Sequence, residues 1–339
     1  MAAIRFPLLV LLSAISALAS PSGAFATDYK VVDRLKVPDG GFDYATFNPA
    51  TNQVYMPRGA FTTVIDVKTN KVSQLTSAAG DHIALPVPGT SLLVLTRRQG
   101  TIRIVDAVKD TIVADLTGGK NPNSAAYDPV SKTVVVLNKE SGDAAVVDPL
   151  QRKIVATIPI SPNTLEFPVS DGAGKVYDNI ETTAEIAVID VKARKVTQLF
   201  KLEGCEGPSG LAYAAASKLL IAACGNGIAK VVRADTGKEV ASLAIGQGPD
   251  AAIYDPVRKL AFIPCGRDGV LEVISMQDLS HIAVIQHVQT EQGSRTGTID
   301  PATGRLYLMA SKPDLTAKVP PGGRVPRLAG SWEVLVVGS

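Results

Sequence analysis

Seven polar side chains recur through the chain at intervals of 39 to 45 residues: Asp43, His82, Asn123, Glu166, Ser209, Asp250 and Arg295. Each lies five residues ahead of an Asp-Pro or Asn-Pro phrase, or of the position equivalent to it. Brought together, they offer carboxylates, an imidazole, an amide, a hydroxyl and a guanidinium around one small polar ligand. Glu166, Asn123 and Asp250 carry the hard oxygen donors that a divalent cation such as calcium prefers, and a cation held there would polarise a carbonyl. Arg58, Arg97 and Arg98 add fork-shaped donors suited to carboxylate or phosphate, and Asn179 adds a further amide. The competing reading is structural. The seven side chains would then cap strand ends and bridge neighbouring elements, Arg295 would clasp Asp250 and Asp43, and the arginines would be solvated surface groups. The chain has no nucleophile motif, phosphate loop or HExxH pattern.

The elements that must position these residues follow from two recurring phrases. The first reads VIDVKTNKV at 64–72, IVDAVKDTIV at 104–113, VVDPLQRKIV at 146–155 and VIDVKARKV at 188–196, with weaker copies at 231–240 and 273–282. Its third residue falls at Asp66, Asp106, Asp148, Asp190, Arg233 and Ser275, spaced by 40, 42, 42, 43 and 42. The second reads FNPAT from Phe47, YDPVS from Tyr127, YDPVR from Tyr254 and IDPAT from Ile299, with degenerate versions at Pro88, Asp171 and Ala214. β-Branched runs such as TVVVLN and LAFIPC follow it. Proline presets φ, while Gly and Asn tolerate positive φ, so both phrases mark turns between short strands.

Four short strands every 40-odd residues is the pattern of a propeller blade, and no segment of the mature chain has helical spacing. The fold class expected is therefore all-β, a seven-bladed β-propeller. Seven copies of the second phrase meet six of the first. The missing outer strand is sought at Tyr29 to Val37, paired with Trp332 to Val337 to close the ring and cover both sheet edges.

Residues 1–26 read as a signal peptide, with Arg5, an apolar stretch from Pro7 and small residues before a cut at Thr27. Residues 27–339 then form one propeller domain, exported to the periplasm or secreted. No later stretch is apolar enough to span a membrane. A formal net charge of +2 and 5% aromatic residues argue against nucleic acid as a partner. The three histidines are too few for a histidine-rich copper site, and no CxxCH is present for covalent haem. In an oxidising compartment, three cysteines give one disulfide and one free thiol. Cys205, in the loop entering blade five, is expected to pair with Cys224, near the end of that blade's second strand. Cys224 and Cys265 hold equivalent places in blades that diverge, which leaves Cys265 free.

Five phrases, GGFDYATFNP (40–49), EFPVSDGAGKVYDNIE (166–181), CEGPSGLAY (205–213), GQGPDAAIYDP (246–256) and RTGTIDPATGRLYL (295–308), resemble the exported YncE-like family of YVTN-repeat propellers. The resemblance runs over the whole mature chain and implies the seven-bladed fold. It departs from the family pattern at Ile83, Asn123 and Cys265. The function expected is a monomeric binding or scaffold protein, with a polar funnel on one face for a small molecule or a protein partner. The alternative is a metal-assisted, lactonase-like hydrolase built on Glu166, Asn123 and Asp250. The segment from Lys312 to Gly330, with Lys312, Lys318, Arg324 and Arg327, is either a lid over that funnel or a loose insertion.

Overall fold

The computed structural model describes residues 28–162, 164–318 and 325–339. The leader expected over residues 1–26, and Arg324 of the proline-rich segment, lie outside the described residues. The strands form seven four-stranded antiparallel sheets, spanning 46–75, 84–117, 122–159, 165–201, 208–244, 253–289 and 297–338, the last completed by residues 30–36. The sheets stand as blades around a central axis. Each inner strand touches that of the next blade, and the inner strand of blade seven returns to that of blade one.

Burial explains the sequence pattern of each blade. The second strand of blade three, Thr133–Asn138, is buried at every position, so it reads as a continuous apolar run. Its outer strand, Lys153–Pro159, meets solvent on one side and carries charge at its start. Facing sheets interdigitate, as where Val135, Leu137 and Val146 of blade three meet Val176, Ala187 and Ile189 of blade four. In six blades the register slips between the third and outer strands, for example between Val146 and Val147 and between Val188 and Ile189. Such a bulge strengthens the local twist, and the repetition shapes each outer edge alike.

The recurrent Asp of the first phrase sets the outer turns. Asp66 Oδ1 accepts from the main-chain N–H groups of Lys68 and Thr69, and Asp148 Oδ1 from those of Leu150 and Gln151. Each turn then passes through the left-handed region, at Asn70 (φ 56°) and Arg152 (φ 57°).

Closure uses the first described strand. Lys30–Lys36 pairs antiparallel with Glu333–Gly338, from Lys30 opposite Gly338 to Lys36 opposite Glu333. Tyr29, 1% exposed, packs edge-on to Phe262 with centroids 5.0 Å apart, and its main chain exchanges hydrogen bonds with the Gln286 amide at 3.0 and 2.8 Å. Hydroxyls also stitch blade to blade near the axis: Thr46 Oγ1 donates to Ala84 O at 2.5 Å, Thr96 Oγ1 to Asn123 O at 2.8 Å, and Thr296 Oγ1 to Asp43 O at 2.7 Å.

Candidate functional site

In each blade the inner strand starts, and the second strand ends, on the same face. There the structure opens a cavity of about 700 Å³ over the axis. All seven inner-strand positions line it: Asp43, His82, Asn123, Glu166, Ser209, Asp250 and Arg295.

The walls are tied together by charge. His82 is 4% exposed, with Nδ1 2.6 Å from Asp43 Oδ2 and Nε2 3.2 Å from Asn121 Oδ1. Arg295 Nε donates to Asp250 Oδ2 at 2.7 Å, and its guanidinium lies 4.4 Å from the Phe42 ring centroid. Half of the expected clasp is therefore present. Asp43 pairs with His82 rather than with Arg295, and blade seven reaches it through Thr296 and the Asp43 carbonyl. Burial, then the Asp43 charge, push the Asp250 carboxyl above the usual carboxylate range, against the lowering pull of Arg295.

Glu166, 5% exposed, is bonded to Lys139 through Oε1, while Tyr44 Oη and Asn123 Nδ2 approach Oε2 at 3.3 and 3.5 Å. Lys139 also reaches Glu181 at 3.5 Å. The Lys139 ammonium thus stands beside the carboxylate that a bound cation would need. Among the described residues no three His, Cys, Asp or Glu side chains group as metal ligands.

Arg58 is the least compensated member of the wall. It is 2% exposed, donates through Nε to Gly41 O at 2.6 Å and through Nη1 to Thr63 Oγ1 at 3.4 Å, and leaves Nη2 without a partner. Its guanidinium lies 4.7 Å from the Trp332 ring centroid, and among the described residues no carboxylate pairs with it. Burial lowers its pKa to about 10.

Two expected residues are not on this wall. Asn179 is fully buried and donates to Ser209 O and Gly210 O at 3.0 and 3.1 Å, so it ties blade four to blade five behind the funnel. Arg97 ends the strand Leu92–Arg97 and does not line the cavity, whereas Arg98 does. Three residues that sequence reasoning missed, Lys139, Glu181 and Gly225, face the funnel as Arg98 does, each the first residue past the second strand of its blade. Because side chains alternate along a strand, counting one residue short selects the wrong face. Cys205 and Cys224 are joined, with Cα atoms 5.5 Å apart, and Cys265 is a buried free thiol.

The segment from Lys312 folds back on itself, with Asp314 N donating to Pro326 O and Leu328 N to Lys312 O. It places Arg327 beside the funnel, where Nη1 donates to Gln292 O and Ser311 O at 3.2 and 3.3 Å.

No family model matches the chain, and no curated protein matches it in sequence. In structure it is similar to a chain of the mitotic checkpoint complex, with a TM-score of 0.74 at 14% identity over 99% of both chains. It is also similar to U3-55K, with a TM-score of 0.76 at 8% identity over 90% of this chain and 99% of that one. Hydrazine synthase of Kuenenia stuttgartiensis gives 0.70 at 15% identity, over 81% of this chain and 94% of that one. At these identities the likeness establishes the propeller architecture and nothing finer.

Proposed function

We propose that this chain is an exported binding propeller of the YncE-like kind, which takes up a small polar molecule in the funnel over its axis. The propeller architecture suits a binding or scaffold role. What carries the finer reading is the convergence of all seven inner-strand positions on one cavity of about 700 Å³. Arg58 supports it, because a buried guanidinium with an unpartnered nitrogen is costly unless something answers its charge. Export is supported by the apolar leader at the start of the sequence and by the Cys205–Cys224 bond, which persists best in an oxidising compartment. The lactonase-like alternative requires Lys139 to leave Glu166, which makes it the lesser reading.

The test begins with protein recovered under native conditions, whose retained small molecules are identified by mass spectrometry. The retained compound is expected to raise the melting temperature of the wild type. Glu166→Gln and His82→Ala are expected to abolish that rise while the unliganded proteins still fold. Unchanged affinity in both variants overturns the funnel reading and points to the outer blade surfaces, hence to a protein partner.

A further inference from the structure

Beside the funnel lies a second cavity of about 510 Å³, which shares Gly248, Arg267 and Arg295 with it. Among the described residues its wall holds three guanidiniums, those of Arg267, Arg295 and Arg327, and neither Asp nor Glu. Arg295 is answered from the funnel side by Asp250. Among the described residues, no carboxylate pairs with Arg267 or Arg327. The two main-chain carbonyls that accept from Arg327 fix its fork without neutralising it. Burial, then the neighbouring Arg295 charge, push the Arg327 guanidinium below its usual range.

The backbone makes room for each of the three. A Cβ on Gly248 would stand 2.9 Å from Arg267 Cβ, and one on Gly266 would stand 2.7 Å from Arg295 Cβ. A Cβ on Gly293 would collide with the Arg327 guanidinium. One glycine thus lies under each arginine, and any side chain there would displace it. Like charges gathered in a partly enclosed site repel one another, and an oxyanion that accepts from several forks removes that repulsion.

We propose that this cavity is an oxyanion site that holds the phosphate or carboxylate end of a ligand whose remainder occupies the funnel. The identity of that remainder rests on the funnel reading; the anion site itself does not. Phosphate and carboxylate present the same acceptor geometry to a guanidinium, so the two are separated by titration.

The experiment titrates the exported full chain with inorganic phosphate and with citrate at constant ionic strength, sodium chloride being the control. It follows melting temperature and heat of binding. A saturable rise with phosphate or citrate, absent with chloride, is expected, and the tighter of the two identifies the headgroup. Arg267→Gln and Arg327→Gln are each expected to weaken that binding at least about tenfold. Without anion, Arg267→Gln should melt with the wild type, because that side chain is exposed, whereas Arg327→Gln gives up two carbonyl bonds and should melt somewhat lower. Arg327→Lys, which keeps the charge and loses the fork, is expected to fall between. A rise that is linear, unsaturable and equal in wild type and variants is salt exclusion from the surface and overturns the site. So does saturable binding that neither glutamine variant changes. If the retained compound depends on Glu166 while phosphate and citrate are ignored, the anion site falls and the funnel stands. If anions bind through Arg327 while no compound depends on Glu166, the funnel falls and the anion site stands.

Discussion

The guanidinium of Arg58 lies 4.7 Å from the ring centroid of Trp332, so a cation of the first blade rests on an aromatic ring that leads into the third strand of the last. The contact spans the closure of the ring. It also holds an arginine at a strand end that other blades fill with Cys224, Cys265 or Ala310.

That placement separates stability from binding. Arg58→Met keeps the volume and the ring contact and removes a buried charge that no carboxylate answers. It is expected to melt at or above the wild type, within about 1–2 kcal/mol, and to lose the ligand-induced rise in melting temperature. Arg58→Ala forfeits the packing as well and is expected to cost roughly 2 kcal/mol. Urea melts of both variants check this. A Met variant as damaged as the Ala variant would mean that the charge itself holds the fold.

Closure of the ring depends on few side chains at the start of the described chain. Tyr29→Ala empties a site 1% exposed between blades six and seven and is expected to cost about 3 kcal/mol. Removing residues 28–37 takes away the whole outer strand of blade seven and is expected to lower both the calorimetric enthalpy and the melting temperature. A truncated protein that melts with unchanged midpoint and cooperativity refutes the closure.

The cysteines have opposite chemistry. The bond between Cys205 and Cys224 closes a span of 19 residues, and its loss in the Cys205→Ala, Cys224→Ala double variant is expected to cost about 3 kcal/mol. Burial, then the Glu272 charge, push the Cys265 thiol up to about 12. A thiol reagent at pH 8 is therefore expected to find no reactive group in the native protein and one in denaturant. Rapid modification of the native protein would contradict this burial.

Asp178 gives the stability a pH dependence. It is fully buried in the second strand of blade four, neither carboxylate oxygen has a hydrogen-bond partner, and burial pushes its pKa well above the ordinary carboxylate value. The folded state therefore holds a proton that the unfolded state releases above about pH 4. Any stability this proton confers is complete below that value and declines as pH rises through the raised folded value, by up to about 1.4 kcal/mol per pH unit between the two. Asp178→Asn is expected to remove that slope, so its advantage over wild type should grow from pH 4 to pH 8. Parallel stability profiles for the two proteins would count against a neutral Asp178.

The blades were legible because their signals are local and repeated. The turn aspartates Asp66, Asp106 and Asp148 each organise their own loop, so their spacing alone reports the beat of the sheets. The inner-strand positions were legible for the same reason, since five residues separate each but Ser209 from a turn that proline or aspartate marks. The second ring was blurred by where its strands end: Arg97 is one position short of Arg98 and so on the other side of the pleat, while Asn179 is two short of Glu181 and still inside its strand. Long side chains hid the rest. Nothing in sequence spacing tells that Lys139 bends to Glu166 of the next blade, or that Asp43 takes His82 rather than Arg295, because those choices are made by packing across sheets.

The seventh blade sets an order of events. Its outer strand, Lys30–Lys36, is synthesised before any other described strand, yet the strand it pairs with, Glu333–Gly338, is the last. During synthesis that early strand has no partner, and six blades can assemble beside it while the seventh waits. Ring closure is then a contact of the longest sequence separation in the fold, the kind that slows folding most. Until it forms, both faces of the open ring expose the apolar sides of unfinished blades, which makes the moments just after release of the chain those of greatest exposure to aggregation.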